Sequence, residues 1–322
     1  MTLPTSGPLT LSDIQTEFGG SAPTSLNEYY AGGSYVAPGV TGTYGPVPSS
    51  GTISIKNFYG TAYAPIPPIG LADLNLRTYA LANGWDGVSH YVATFNNNVY
   101  VYSTSTGNAG LTVDGSWPNG VEIINNGFIM GKGGNGNSGS GGPAISISVP
   151  LTITNNSYIG GGGGAGAHGY ANSGGWAGGG GGAGGGNGGI AQVNNAPGYN
   201  SGGAGGSFAQ KGSNGPGSNQ GGGGGGRIMP GVGGNAGGAN GGGAGGGGGN
   251  GWLYNTPGAG GSGGNPGGGS GNGYGGAGGG GWGASGGSNG GGGGGGSGGK
   301  AIALNGNTVT FLITGTVWGV VS

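Results

Sequence analysis

Seven carboxylates and two histidines supply nearly all the conventional acid–base and metal-binding chemistry of this 322-residue chain, which has no cysteine. The acids, Asp13, Glu17, Glu28, Asp73, Asp86, Asp114 and Glu122, all fall in the first 122 residues. A glycosidase-type pair, one carboxyl as acid and one as base or nucleophile, would have to come from Asp73, Asp86, Asp114 and Glu122. Isolated acids that tie loops and turns are the commoner use of such residues. His90 and His168 lack the further ligands a zinc site needs, and no thiolate can replace them. Lys300 follows a glycine run in which Gly294 and Gly299 mimic a phosphate loop, but Ala301 stands where Ser or Thr is required. Gly131, Gly133 and Gly136 satisfy the spacing of a dinucleotide loop, yet no helical sequence follows them. No catalytic residue, metal or cofactor is therefore expected, and the chain reads as non-enzymatic.

Composition narrows the classes further. Glycine supplies 103 residues, close to the collagen fraction, but stretches such as "RIMPGV" and "WLYNTPGAG" break every three-residue phase. A disordered linker is the next thought, since ordering about 140 glycine-rich residues costs on the order of 200 kcal/mol of backbone entropy. Aromatics scattered through the block, including Tyr170, Trp176, Tyr199, Trp252 and Trp282, argue instead for something folded. Six basic and seven acidic residues give a net charge of −1, so no basic surface for nucleic acid is available. No apolar run approaches the roughly 18 residues of a membrane span. The start, "MTLPTSGPLTLSDIQTEFGG", lacks a basic stretch followed by an apolar one and is not read as a Sec-type signal peptide, so a protein working outside the cell that made it would be expected to leave by lysis or as part of an assembly.

Four regions follow from the pattern. Residues 1–62 read as a small module, with Leu11, Ile14 and Phe18 spaced for a short helix that starts near Ser12 or Asp13, and Ile53 and Ile55 alternating as in a short strand or tight turn. Residues 71–160 carry strand-like alternation in "VYVYS" and "AISISV". There Ile123, Asn125, Asn126, Ile129 and Gly131 recur 30 residues later as Ile153, Asn155, Asn156, Ile159 and Gly161, with a looser copy at 299–315. A strand, Asn-Asn corner, strand repeat suits stacked rungs in which Asn bonds along the stack. Residues 161–299 are the glycine block, and 300–322 close the chain as strand.

Glycine at most positions permits extended three-residue-per-turn helices, about 3.1 Å per residue, packed closely enough to bond to one another. Runs of about nine residues would span roughly 28 Å. The expected fold is mainly β and irregular: an N-terminal adaptor, a β-helix-like or β-sandwich middle, and a polyglycine-II bundle closed by a C-terminal strand. The glycine block resembles the polyglycine-II sandwich of the tip adhesins on the long tail fibres of T-even-like phages. "LSDIQTEFGG", "TSLNEYY" and "GTISIKNFYG" are similar to a short module at the start of many tail and virion-associated proteins. The resemblance implies a phage tail adhesin in the virion that binds a host receptor, an outer-surface protein or glycan, through loops at one end of a glycine bundle. It also implies other tail or fibre proteins as partners, with a monomer on a trimeric shaft and a homotrimer both open.

On that reading the receptor-binding candidates are His168, Tyr170, Trp176, Tyr199, Phe208, Arg227, Ile228, Met229, Trp252, Leu253, Tyr254, Tyr274 and Trp282, because bulky side chains should be displaced to turns and exposed aromatics stack on sugars or apolar loops. "RIMPG" and "GWLYNTPG" are the two best clusters. Ile14, Phe18, Leu26, Tyr29, Tyr30, Phe58 and Tyr59 are the candidates for virion attachment. The competing readings are a structural adaptor or tail-tip component with the glycine bundle as a rigid spacer, and an ice-binding surface, which irregularly spaced bulky residues disfavour.

Overall fold

The computed structural model describes residues 3–36, 40–62, 69–170, 176–192, 199–200, 203–207, 210–213, 225–227, 229, 276–288 and 293–322. The chain is mainly β with two α-helices, and it divides into two compact units, residues 1–69 with 96–98 and residues 70–95 with 99–322.

The first unit is built from three short turns with one sequence grammar. Helix α1 (Leu11–Phe18) is capped by Thr10, whose hydroxyl accepts from the Asp13 N–H while the Asp13 carboxylate accepts from the Thr10 N–H at 2.8 Å. The cap thus lies two or three residues before the expected start, and Asp13 serves as the reciprocal partner. Ser25 and Glu28 repeat the device at the 3-10 turn Leu26–Tyr29. At the 3-10 turn Ile55–Phe58, the Asn57 carboxamide oxygen accepts from the Ser54 N–H at 2.8 Å. The alternation of Ile53 and Ile55 therefore leads into a turn. A two-residue hairpin, β1 (Thr41–Gly42) with β2 (Gly45–Pro46), completes the unit, and Leu3 N–H to Thr61 O at 2.8 Å closes its ends together.

Ile14, Phe18, Tyr29 and Phe58 form this unit's core, with Phe18 and Tyr29 both edge-on to Phe58 at 6.0 and 6.2 Å. This corrects their reading as an attachment surface, because side chains of this kind hold three otherwise marginal turns together by removing apolar area from water. Leu26, Tyr30 and Tyr59 remain partly exposed, the Tyr30 hydroxyl donating to Gly51 O and that of Tyr59 to Gly7 O.

In the second unit the chain visits three parallel sheets in turn. After β3 (Ile69–Ala72), the first pass is β4 (Leu74–Asn75), β5 (Tyr91–Phe95) and β6 (Val99–Tyr102), with α2 (Leu76–Ala82) inserted after β4. The second is β7 (Leu111–Val113), β8 (Val121–Asn125) and β9 (Phe128–Met130), and the third β10 (Ile145–Ile147), β11 (Leu151–Asn155) and β12 (Tyr158–Gly160). Four two-residue strands follow, β13 (Gly169–Tyr170), β14 (Trp176–Ala177), β15 (Ala191–Gln192) and β16 (Tyr199–Asn200), forming a separate antiparallel sheet. The final pass is β17 (Ile302–Ala303), β18 (Val309–Ile313) and β19 (Thr316–Trp318), so the sheet orders are β17-β10-β7-β4, β18-β11-β8-β5 and β19-β12-β9-β6-β3.

The 30-residue repeat is one pass of this circuit. Ile123 pairs with Ile153, Asn125 with Asn155 and Ile129 with Ile159, all in parallel register. Alternate residues point inward, so Ile123, Ile129, Ile145, Ile147 and Ile153 are wholly buried between the sheets. Asn125 Nδ2 donates to Asn155 Oδ1 at 2.8 Å, and Asn155 Nδ2 continues to Thr314 O at 2.6 Å. Both amides are fully buried, and each corner is fixed in register because a slip would strand them without partners.

The glycine residues bond in a different way. Along 162–167, successive N–H groups go to three neighbours with a period of three. Gly162 and Ala165 donate to Gly142 and Gly139, Gly163 and Gly166 to Ala183 and Gly180, and Gly164 and Ala167 to Ala284 and Gly287. Its carbonyls follow the same period toward three further stretches: Gly161, Gly164 and Ala167 accept from Gly283, Gly280 and Ala277, Gly162 and Ala165 from Gly299 and Gly296, and Gly163 and Gly166 from Gly134 and Ser138. The segment thus has six bonded neighbours. A methyl group on Gly164 would stand 1.8 Å from Gly296 O, and on Gly163 2.1 Å from Gly280 O, which is why glycine is needed here.

Candidate functional site

The acids considered for catalysis each accept hydrogen bonds from neighbouring residues, three of them at turns or strand ends and Glu122 within strand β8. Asp73, at φ 46, accepts from the Thr104 N–H at 3.0 Å and from the hydroxyls of Thr104 and Ser103. Asp86 accepts from the N–H groups of Val88 and Ser89 at 2.9 and 2.7 Å and from the Ser89 hydroxyl. That hydroxyl first, then the two backbone donors, hold its carboxyl below the usual range. Asp114 accepts from Asn75 Nδ2 at 2.9 Å, and Glu122 from the Thr154 hydroxyl at 3.4 Å. No group of three His, Cys, Asp or Glu able to hold a metal occurs among the described residues.

Neither glycine motif forms a nucleotide loop. A Cβ on Gly136 would fall 1.9 Å from Gly189 N, and on Gly133 2.1 Å from Gly182 O, so packed backbone occupies the space a phosphate would need. Lys300 leads into β17 rather than a helix, and its ammonium donates to Ser322 O at 3.1 Å.

The receptor-binding candidates separate into three groups. Trp282 and Met229 are buried, with Met130 and Ala183, in a cluster against which Tyr100, Tyr102, Phe128, Tyr158 and Trp318 pack from the sheet of β6, β9, β12 and β19. Gly160 makes the room: a Cβ there would sit 2.2 Å from Met229 Cε and 3.3 Å from Trp282 Cβ. Arg227 is 7% exposed, with its guanidinium 5.1 Å from the Tyr102 ring centre. The expectation that these three are displayed is corrected. Bulky side chains are excluded from the glycine array, but they are used to seat it on the sheet's outer face, where burying each large apolar group gains about 1.5–3 kcal/mol.

A second group is brought together by backbone register. Tyr170 pairs with Trp176 across β13 and β14, Trp176 with Gln192 across β14 and β15, and Gln192 with Tyr199 across β15 and β16. Tyr170, Trp176 and Tyr199, 29 residues apart at the extremes, thus belong to one cross-strand row with Gln192. Sequence reasoning named the aromatics but missed Gln192. Its signal was the alternation around "IAQV", which glycine on both sides obscured. His168 is partly buried just before this sheet. Phe208, Ile228, Trp252, Leu253, Tyr254 and Tyr274 lie outside the described residues.

The outer face of the β6-β9-β12-β19 sheet carries a further feature, one aromatic from each pass. Tyr100 stacks on Phe128 at 4.6 Å, Phe128 on Tyr158 at 5.7 Å, and Tyr158 meets Trp318 at 5.3 Å. Such contacts reinforce the parallel register beyond the area they bury.

Three parallel sheets, a glycine array and a four-stranded antiparallel sheet with aromatics in register thus make up the second unit. Residues 70–221 match the family model of the phage tail fibre adhesin Gp38. The match begins with the three-sheet region and runs into the glycine block, agreeing with the resemblance seen in the residues and supporting a tail adhesin role. No curated protein matches the chain. Among solved structures, the crystal structure of the gp37-gp38 adhesin tip complex of the bacteriophage S16 long tail fiber is similar at 20% identity and a TM-score of 0.47, covering 99% of this chain and 100% of that one.

Proposed function

We propose that this Gp38-like chain is a non-enzymatic, receptor-binding component of a phage tail, carried on other fibre proteins and directed at a protein or glycan of the bacterial outer surface. The scaffold is read as a β-helical base carrying a polyglycine-II bundle. The period of three along 162–167 supports that reading, since a helix of three residues per turn presents every third peptide to the same neighbour.

The observation that carries receptor binding is the row Tyr170, Trp176, Gln192 and Tyr199. Aromatic and amide residues in adjacent register provide area for stacking and donors and acceptors for hydroxyl groups. Backbone pairing of the four strands lowers the entropy lost when such a surface binds. Trp252, Leu253, Tyr254 and Tyr274 are proposed as further receptor-binding residues on their side-chain type alone.

Purified protein labelled with a fluorophore tests the proposal on whole candidate host cells. Saturable binding is expected, reduced at least tenfold when Tyr170, Trp176 and Tyr199 are changed to Ser, and further when Trp252, Leu253 and Tyr254 are changed as well. Folded variants that bind as tightly as the parent would assign the surface elsewhere. Absence of parent binding to any host susceptible to the corresponding phage would leave the adaptor role in its place.

A further inference from the structure

Two cations of the second unit meet at one glycine turn. Lys132, two residues beyond β9, donates through Nζ to Gly185 O at 2.5 Å, and Arg227 donates through Nε to Gly184 O at 3.2 Å. Gly184 and Gly185 have φ of 98 and 77, a left-handed pair that other residues would strain to adopt. An added Cβ on Gly185 would lie 2.8 Å from Arg227 Nε and 3.1 Å from its Nη2, so the guanidinium lies against the place where a side chain would stand, on the residue whose carbonyl accepts from the Lys132 ammonium.

Among the described residues, two carbonyls and the Tyr102 ring face them, and Asp73 is the one carboxylate whose charge reaches Arg227. Two cations thus share one full negative charge, while Asp86, Asp114 and Glu122 accept hydrogen bonds from Ser89, Asn75 and Thr154. Burying two cations beside a single carboxylate leaves an excess of positive charge that a bound anion would offset. Among the described residues the Arg227 guanidinium donates through Nε alone, which leaves its Nη groups for an oxyanion, and Lys132, only half-buried, gives that anion a way in.

We propose that Lys132 and Arg227 form a binding site for a tetrahedral oxyanion, a phosphate or sulfate group, bridged between the ammonium and the outer edge of the guanidinium at the Gly184–Gly185 turn. Burial, and secondarily Arg227, lowers the Lys132 pKa to about 8, consistent with a site short of negative charge. The assignment does not depend on the adhesin role.

The test is thermal unfolding of the intact chain at pH 7 and constant ionic strength, with chloride replaced stepwise by inorganic phosphate or by glucose 1-phosphate. A saturable rise in melting temperature is expected with at least one of them. Lys132→Arg should retain the response and Lys132→Met should lose at least four-fifths of it. A larger effect of the sugar phosphate would identify a phosphorylated glycan as the source of the group, and a larger effect of inorganic phosphate a free ion. No rise with either, or an equal rise in Lys132→Met, overturns the site. Should Lys132→Met fail to fold, the Arg227 Nε resonance of the unsubstituted protein decides: a saturable shift with phosphate supports the assignment, and an unmoved resonance overturns it.

Discussion

A strand such as β11 bonds to β8 on one side and β18 on the other, leaving its two faces to side chains, whereas segment 161–167 bonds to six neighbours and has no face left. The first arrangement takes its specificity from side chains: isoleucines inward, Asn125 and Asn155 at the corner, aromatics outward. The second depends on their absence, because each peptide group must reach a neighbour at a separation that a Cβ would prevent. Both satisfy the backbone almost completely, which is the condition for burying it. They differ in how errors are tolerated. A sheet core with one methylene missing keeps its hydrogen bonds and leaves a cavity, while a glycine array with one methyl added loses the contact itself.

Breaking the array should therefore produce the largest effect. Gly164→Val is expected to cost at least about 3 kcal/mol, the upper range of overpacking, and to unfold the array before the sheets. Gly294→Ala, where a Cβ has nothing within 4 Å, is the matched control and should leave the melting temperature within a degree or two. Equal melting temperatures for the two variants would contradict the six-neighbour packing.

On the sheet side, Ile153→Ala should cost about 2–5 kcal/mol, scaling with the cavity it leaves. Urea denaturation measures it, and a loss below about 1 kcal/mol would mean that the three sheets do not share a tight core. Asn155→Ala comes next. It removes donors to Thr314 O and Thr316 O and leaves Asn125 Nδ2 without its Asn155 acceptor, for about 1–3 kcal/mol. An exposed partner of the same ladder, Asn156→Ala, should fall well below it.

The smallest effect lies where the two regions meet, and it is read through pH. Lys132 holds its proton less tightly in the folded chain, about 8 against an ordinary 10.5, so between those values the unfolded chain binds more protons. Stability should accordingly rise as pH increases through that window, a recovery of the cost of burying the charge. Melting temperatures between pH 7 and 9.5 should show this contribution in the parent and lack it in Lys132→Met. Tyr29, Tyr91 and Tyr100, whose hydroxyls burial pushes above 10.0, oppose it only at higher pH.

Much of this division could be read from residues alone. The offset between Asn125 and Asn155 marked one pass of the sheets because a parallel stack repeats its environment at fixed intervals. Leu11, Ile14 and Phe18 marked a helix because their spacing follows its turn. Residue counts disfavour a carboxylate pair, and the four acids in question are hydrogen-bonded to neighbours, Asp73, Asp86 and Asp114 outside strands and Glu122 within β8. The site was less legible. Tyr170, Trp176 and Tyr199 were identified by type, but strands of two residues have no period to reveal their pairing. Trp282 and Met229 are bulky enough for a displayed turn or for covering the array's contact with the β region, and residue type alone does not separate the two; the structure has the second.

Sequence by itself determined that the backbone could pack at glycine distances, that stacked strands would recur every 30 residues, and that bulky groups must leave the array. These are local consequences of side-chain size and spacing. Only tertiary structure decided where the excluded groups went: Trp282 and Met229 onto the outer face of a sheet, Lys132 and Arg227 onto one turn, and Tyr170, Trp176 and Tyr199 into one row. The reason is that a glycine-rich segment carries almost no side-chain information about its neighbours, so partners are selected by the chain closure and packing of the whole unit.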